Sequence, residues 1–288
     1  MTAAFDIAAN RRATEALLRA VPPAPGTRAR ERTLAGRRAL AVTAEARASA
    51  VRHRAGAGAL LWIHGGAYVA GSVDANVGFA SHLAAAAGVE VVLASYRLAP
   101  EHPFPAGLDD VSAALDALAA ERGGPEAVVL GGDSAGAGLA LAAMLLHRDT
   151  GHALPAGAVL LCPFADLTLT NPSWTAPETD DPVIDRDTFA RIVGLYTSGD
   201  LVADPYISPA RADLHGLPPL LVFASETEAL RDDARAIAAA APDARLVTRA
   251  GLTHVWHLQV ATLDAARADV ARVGTFVSQR LTATAPVR

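Results

Sequence analysis

Apolar residues in this chain come in short continuous runs separated by amphipathic stretches, and from residue 60 onward the two alternate regularly. The runs Leu60–Ile63, Val89–Ser95, Ala127–Gly131, Ala158–Leu161, Leu220–Ala224 and Ala244–Arg249 predict strands. Most show no polar alternation, which marks strands covered on both faces in a parallel sheet. Helical spacing of apolar positions predicts helices over Val73–Ala87, Leu108–Glu121, Ala135–His147, Asp187–Tyr196, Ala229–Ala241 and Leu258–Leu281. Gly88 stands where a helix C-terminus needs a left-handed residue. Strands and helices in this order make an α/β architecture, a parallel sheet with helices on both sides.

The beat is absent in two places. Ala3–Ala20 reads as one helix that stops at Val21-Pro22-Pro23. Residues 27–56 are Arg-rich, with strand candidates near Arg38–Thr43 and Ser49–Arg54. Thr168 to Asp187, rich in Thr, Pro and Asp, is too short for a domain and reads as an insertion over the sheet. The expected organisation is an N-terminal segment, 1–50, serving a cap, and a core, 51–288, carrying a cap insertion around 166–200.

Composition narrows the picture. Apolar residues make up 51% and charged residues 19%, enough for a sizeable core and too little charge for a disordered chain. Aromatics are only 5%, so Ala, Val and Leu must build that core. The net charge of −5 leaves no basic footprint, and no nucleic-acid partner is expected. The single cysteine, Cys162, excludes an intramolecular disulfide framework and a Cys-based zinc cluster, and fits a reducing compartment. Residues 1–18 carry Asp6, Arg11, Arg12 and Glu15 and lack the apolar core of a secretory signal. The most apolar long window, Ala127–Leu146, is broken by Asp133 and several glycines, so no membrane span is expected and a cytoplasmic location is.

Chemistry enters at Gly132-Asp133-Ser134-Ala135-Gly136, which joins a strand directly to a helix. This is G-x-S-x-G in the strand–turn–helix setting that makes it a nucleophile elbow. The turn lifts the Ser134 hydroxyl above the carboxyl edge of the sheet, over a helix N-terminus with free N–H groups. A helix-capping Ser in a Gly-rich turn would share the pattern. Seventy residues earlier, His64-Gly65-Gly66-Ala67-Tyr68 follows another strand. Consecutive glycines let backbone amides converge on a ligand, so Gly65, Gly66 and Ala135 are the candidate oxyanion donors. His64 precedes the nucleophile in the chain, the wrong order for the base of this architecture, and reads as a loop-orienting side chain. No H-E-x-x-H or comparable metal pair and no G-x-G-x-x-G dinucleotide fingerprint occurs, so neither a metal nor a cofactor is expected.

HGGAYVAGS at 64–72, YRLAPEHPFPAGLDD at 96–110 and GDSAG at 132–136 together resemble the hormone-sensitive-lipase-like family of α/β-hydrolases. DPYISPARADLHGLPPLLV at 204–222, ALRDDA at 229–234 and GLTHVWH at 251–257 extend the likeness from about residue 60 to the C-terminus. Within the family the chain is most similar to bacterial esterases, acetyl-hydrolases and ε-lactone hydrolases. The resemblance implies a mostly parallel eight-stranded sheet, a helical cap, and a serine hydrolase acting on a small-molecule ester or lactone. A deacetylase or thioesterase would use the same atoms, and a non-catalytic ligand-binding protein on the scaffold is the rival class. It implies His254, in Gly251-Leu252-Thr253-His254, as the catalytic base, with His257 a partly buried or surface neighbour. The acid is less direct. Against the family's D-P-L-x-D pattern the chain has Glu228-Ala229-Leu230-Arg231-Asp232, so Glu228 is the first choice, before Asp232 and Glu226. Ala67 replaces a Gly common in the family and narrows the loop. Tyr68, Val69 and Phe79 are candidates for the acyl pocket and Trp256 for its border. Cys162 is expected to be a packing residue. A homodimer through an edge strand or the final helix is expected by analogy.

Overall fold

The computed structural model describes residues 6–45 and 58–283. Eight strands form one sheet: β1 (Thr27–Leu34), β2 (Arg37–Ala44), β3 (Ala59–Ile63), β4 (Glu90–Ala94), β5 (Val128–Asp133), β6 (Gly157–Leu161), β7 (Leu220–Ser225) and β8 (Ala244–Arg249). Their order is β1-β2-β4-β3-β5-β6-β7-β8. β2 runs antiparallel to both neighbours, and all other pairs are parallel.

Seven α-helices are described: α1 (Ile7–Arg19), α2 (Val77–Ala87), α3 (Ala106–Arg122), α4 (Ala135–Thr150), α5 (Arg186–Tyr196), α6 (Arg231–Ala240) and α7 (Asp264–Ala283). The reason the strands lack polar alternation is visible in β3. Leu60 and Trp62 enter the core under α2 and α7, while Ala59, Leu61 and Ile63 enter the core under α3, α4 and α6. Both sets are dry, so both must be apolar. The two cores rest on aliphatic side chains, with Trp62, Trp256, Phe79, Phe164 and Phe223 as their largest members.

Two expectations are corrected. The sheet begins at Thr27, inside the segment assigned to the cap, and the strand candidate at Ser49–Arg54 lies outside the described residues. β1 gave no hydrophobic signal because it is an edge strand with mostly exposed side chains. Its arginines serve instead as ion-pair donors: Arg30 and Arg32, with Arg122 of α3, surround the buried Glu90 carboxylate of β4. Three arginines thus converge on one buried acid, so its charge is not left unpaired. The second correction concerns the C-terminus. Residues 256–259 form a separate 3-10 turn, and the final helix starts only at Asp264. Among the described residues no helix is long and apolar enough to cross a membrane.

Candidate active site

The groups with chemistry all emerge at the carboxyl edge of the sheet, where α/β folds place their ligands. β5 ends at Asp133, and α4 begins at Ala135. Between them Ser134 has φ 52° and ψ −121°, a strained conformation for a residue with a Cβ. The turn is tight enough that a Cβ on Gly132 would collide with Gly136, and one on Gly136 with the Ile63 carbonyl of β3. The strain is held by backbone hydrogen bonds: the Ser134 N–H donates to the Leu161 carbonyl at 2.8 Å, and the Phe164 N–H to the Ser134 carbonyl at 3.1 Å.

Glu228 lies on the turn after β7, and His254 on the loop after β8. The His254 Nδ1–H donates to Glu228 Oε2 at 2.6 Å, and Glu228 Oε1 accepts the Ser225 N–H at 2.7 Å. Both carboxylate oxygens are thus engaged, and the acid is fully buried. The bond to Nδ1 leaves Nε2 as the bare nitrogen of the ring. Burial opposes a charge on His254, but the hydrogen bond and charge of Glu228 outweigh it, with Asp181 and Asp133 adding, so its pKa rises above 6.5. Asp232 is turned elsewhere: it accepts the Ser173 N–H and pairs with Arg231 and Arg235. Glu226 pairs with Arg235.

The loop after β3 stays close to the elbow. Gly66 has φ 124°, where an added Cβ would collide with the Ala70 carbonyl, and Ala67 and Tyr68 follow in the left-handed region. The Gly65 N–H donates to Asp133 Oδ2 at 3.1 Å, so this expected oxyanion donor is already engaged. The Trp62 indole occupies the other oxygen at 3.2 Å. Burial pushes the Asp133 carboxyl up to about 6, with the indole, His254 and the Gly65 amide pulling the other way. The amides of Gly66, Ala67 and Ala135 have no acceptor among the described residues. His64 orients the loop, as expected: its Nδ1 donates to the Gly65 carbonyl at 2.8 Å, and its ring stacks on Tyr96. Burial holds its pKa down to about 4.

Ser134, His254, Gly65, Gly66 and Ala67 share one cleft of about 230 Å³. Beside Thr253 and Val255, which flank His254, its walls include residues the motifs did not reveal: Leu17 and Leu18 of α1, Val183 and Ile184 before α5, and Phe189 and Ile192 within it. The four expected pocket residues stand elsewhere. Tyr68 is buried, donates to the Phe164 carbonyl and stacks on Tyr196. Phe79 packs against Trp62 in the helix-covered core. Val69 is buried and offers its carbonyl to Arg11. Trp256 is buried and donates to Asp269 of α7. These four side chains turn away from the substrate side, much of which is roofed by segments distant in sequence.

Arg11 anchors that roof. Its guanidinium reaches the carbonyls of Val69 at 2.7 Å and Ala99 at 3.0 Å and pairs with Glu101, so α1 is tied to the loop carrying Gly66. Arg11→Ala is expected to raise KM for a short-chain ester several-fold with a smaller change in kcat, since it frees a wall and leaves the reacting groups in place. Steady-state kinetics checks this; an unchanged KM contradicts it.

His257 also departs from expectation. It is fully buried, stacked on Trp256 and edge-on to Phe223, and neither ring nitrogen has a partner among the described residues. Burial pushes its pKa down to about 3. Replacing a buried polar group that makes no hydrogen bond is worth about 1 kcal/mol or more. His257→Leu is therefore expected to raise Tm by roughly 2–4 °C at neutral pH. The margin should widen as pH falls from about 6.5 toward 4, because the unfolded chain then takes up a proton that folded His257 refuses. Calorimetry at pH 7.5 and pH 5 measures both, and a pH-independent margin contradicts the assignment.

Two donor groupings among the described residues approach the spacing of metal ligands. One is Cys162 with Glu228 and His254, where burial keeps the thiol protonated and the other two are joined to each other. The other is Asp116 within α3, His147 in the last turn of α4 and His152 just beyond it, where His147 Nε2 is shared with the Ser112 hydroxyl.

The profile of a family described as alpha/beta hydrolase fold matches residues 60–258. An acetyl-hydrolase of Streptomyces hygroscopicus is 40% identical over 222 residues, covering 76% of this chain and 74% of that one. An esterase of Acinetobacter venetianus is 33% identical over 220 residues, covering 76% and 70%. Among solved structures, an esterase from the bacterial hormone-sensitive lipase family superposes with a TM-score of 0.88 at 36% identity, covering 97% of this chain and 93% of that one. Sheet order, elbow, Gly-rich loop and these relatives converge, and the chain belongs to the hormone-sensitive-lipase-like family of α/β-hydrolases.

Proposed function

We propose that this carboxylic-ester hydrolase cleaves small, uncharged esters through an acyl-enzyme on Ser134. The observation that carries the reading is the relay from the Ser225 N–H through Glu228 to His254 Nδ1, which leaves Nε2 free on the cleft that also holds Ser134. Nε2 takes the Ser134 proton as Oγ attacks the carbonyl, and Glu228 stabilises the imidazolium that forms. The oxyanion is received by the amides of Gly66 and Ala135, with Ala67 in place of the engaged Gly65. His254 then gives its proton to the leaving alkoxide. In the second half it activates water to release the acid and restore Ser134. Asp133 acts indirectly, holding the Gly65 peptide and so the pitch of the donor loop. In this reading α1 and residues 166–200 form the cap.

Substrate class follows from the walls. Beyond Asp133, Ser134 and His254, the cleft is lined by aliphatic and aromatic side chains with Asn10, Thr14, Thr188, Thr253 and Gln259, and no arginine or further carboxylate. A charged acyl or alcohol group would lose its hydration there without a partner. The volume lies below the range of about 300–1,000 Å³ usual for drug-sized ligands. For p-nitrophenyl esters kcat/KM is expected to be highest for acyl chains of about two to six carbons. It should fall by at least about tenfold for laurate. A fluorophosphonate probe, with mass mapping of the adduct, tests the chemistry directly. Stoichiometric labelling of Ser134 supports it, and folded protein that takes no label overturns it in favour of a binding protein on a hydrolase scaffold.

A further inference from the structure

We propose that Asp181 is a positioning residue for the reaction, clamping the loop of the catalytic acid to the wall of the substrate cleft. The proposal rests on the reading of Glu228 as the triad acid. Asp181 lies in the segment between β6 and α5, well removed in sequence from every motif. One of its carboxylate oxygens accepts the N–H groups of Val183 at 2.9 Å and Ile184 at 3.0 Å, the two wall residues that precede α5. The other accepts the N–H of Ala229 at 3.0 Å, the residue directly after Glu228. A single side chain therefore sets both the substrate wall and the peptide that carries the acid.

The surrounding contacts show which way the clamp acts. The Asp180 N–H donates to the Thr227 carbonyl at 3.0 Å, and Glu178 pairs with Arg231 at 3.1 Å. Ser173 bonds the Ala229 carbonyl through its hydroxyl at 2.7 Å. Residues 227–231 are thus held from the cap side along their whole length, and Asp181 is the only one of these cap partners whose other bonds reach the cleft wall among the described residues. Ala229 gives the clamp its donor: the family pattern has proline here, which has no N–H to offer. Glutamate in the acid slot carries one more rotatable bond than aspartate, and an extra tether on the next peptide restricts it.

Charge supplies a second, separable consequence. The groups facing His254 are Glu228 after β7, Asp133 at the end of β5, the Cys162 thiol after β6, Asp181 from the cap side and His257 on its own loop. Glu228, Asp181 and Asp133 all favour its protonated form. Removing the Asp181 charge must lower the pKa of the free base and move the acid limb of kcat/KM to lower pH.

The test compares Asp181→Asn, Asp181→Glu and Glu228→Gln as full chains, with circular dichroism and Tm to confirm folding. For Asp181→Asn on p-nitrophenyl butyrate, kcat is expected to fall about tenfold through misplacement of the acid loop. KM should rise, and the acid limb should move to lower pH. Asp181→Glu keeps the charge and misfits the clamp, so it should lower kcat and leave the limb in place. A side chain that matters only for stability would lower Tm and leave the limb unmoved in both. Folded Asp181→Asn with wild-type kcat and limb, alongside inactive Glu228→Gln, overturns the clamp alone. Active Glu228→Gln overturns the triad reading itself. Should Asp181→Asn not fold, wild-type kcat and KM in Asp181→Glu overturn the clamp.

Discussion

Ser134→Ala is expected to lower kcat for p-nitrophenyl butyrate by about 10⁶-fold, leaving only the background that an oxyanion site and binding provide. The size of the loss follows from what Ser134 alone supplies. Its hydroxyl is carried on a strained turn at φ 52°, at a helix N-terminus with unengaged amides and on the cleft that also holds His254. Alanine keeps the backbone and removes the atom that bonds to the acyl carbon. Folding should survive, because the turn is held by the Ser134 N–H and carbonyl, which alanine retains. The fluorophosphonate adduct should vanish in the same sample. Activity in purified Ser134→Ala above about one per cent of wild type would place the nucleophile elsewhere. Such a residue is far above the 10³–10⁴-fold enhancement over water that survives loss of a triad member.

Much of this arrangement was legible before any coordinates, for reasons that differ by element. The inner strands announced themselves because both faces are buried, so hydrophobicity could not alternate. The candidate nucleophile and base were visible because each sits on a turn whose geometry restricts neighbouring residue types: Gly132 and Gly136 admit the elbow, and Gly251 opens the loop that carries His254. The acid was harder. Glu228, Asp232 and Glu226 lie within seven residues, and only side-chain direction separates them, with Asp232 drawn to Ser173 and two arginines. The walls away from the motifs were not legible. Leu17, Ile184 and Ile192 are ordinary apolar positions in their own segments and acquire meaning only when α1 and α5 meet over the sheet. The same limit misplaced Tyr68, Val69, Phe79 and Trp256, whose side chains turn into the core or toward α7. In the candidate oxyanion loop, nothing in His64-Gly65-Gly66 tells that Asp133 takes up the first amide and leaves those of Gly66 and Ala67 unengaged.

The choice among the three acids has the second large consequence. Glu228→Gln is expected to lower kcat by about 10⁴-fold while Asp232→Asn changes it less than about threefold. Glutamine preserves the length and burial of the side chain. Oε1 already accepts the Ser225 N–H at 2.7 Å, so the amide would satisfy that donor with its oxygen and turn its NH₂ toward His254. Nδ1 must then accept, the proton moves to Nε2, and the ring faces Ser134 as a donor where a base is needed. The loss is thus one of tautomer as well as charge. A pH profile separates the two effects. The Glu228 carboxylate holds the His254 pKa above 6.5 against burial, so whatever activity remains in Glu228→Gln should show its acid limb at lower pH than wild type. Asp232→Asn should keep the wild-type limb and instead lose stability, since its carboxylate secures Ser173 and two arginines at the start of α6. If Asp232→Asn were the variant that lost activity and shifted the limb, the acid would be Asp232. The hydrogen bond between Glu228 and His254 would then be a structural contact beside the reaction rather than part of it.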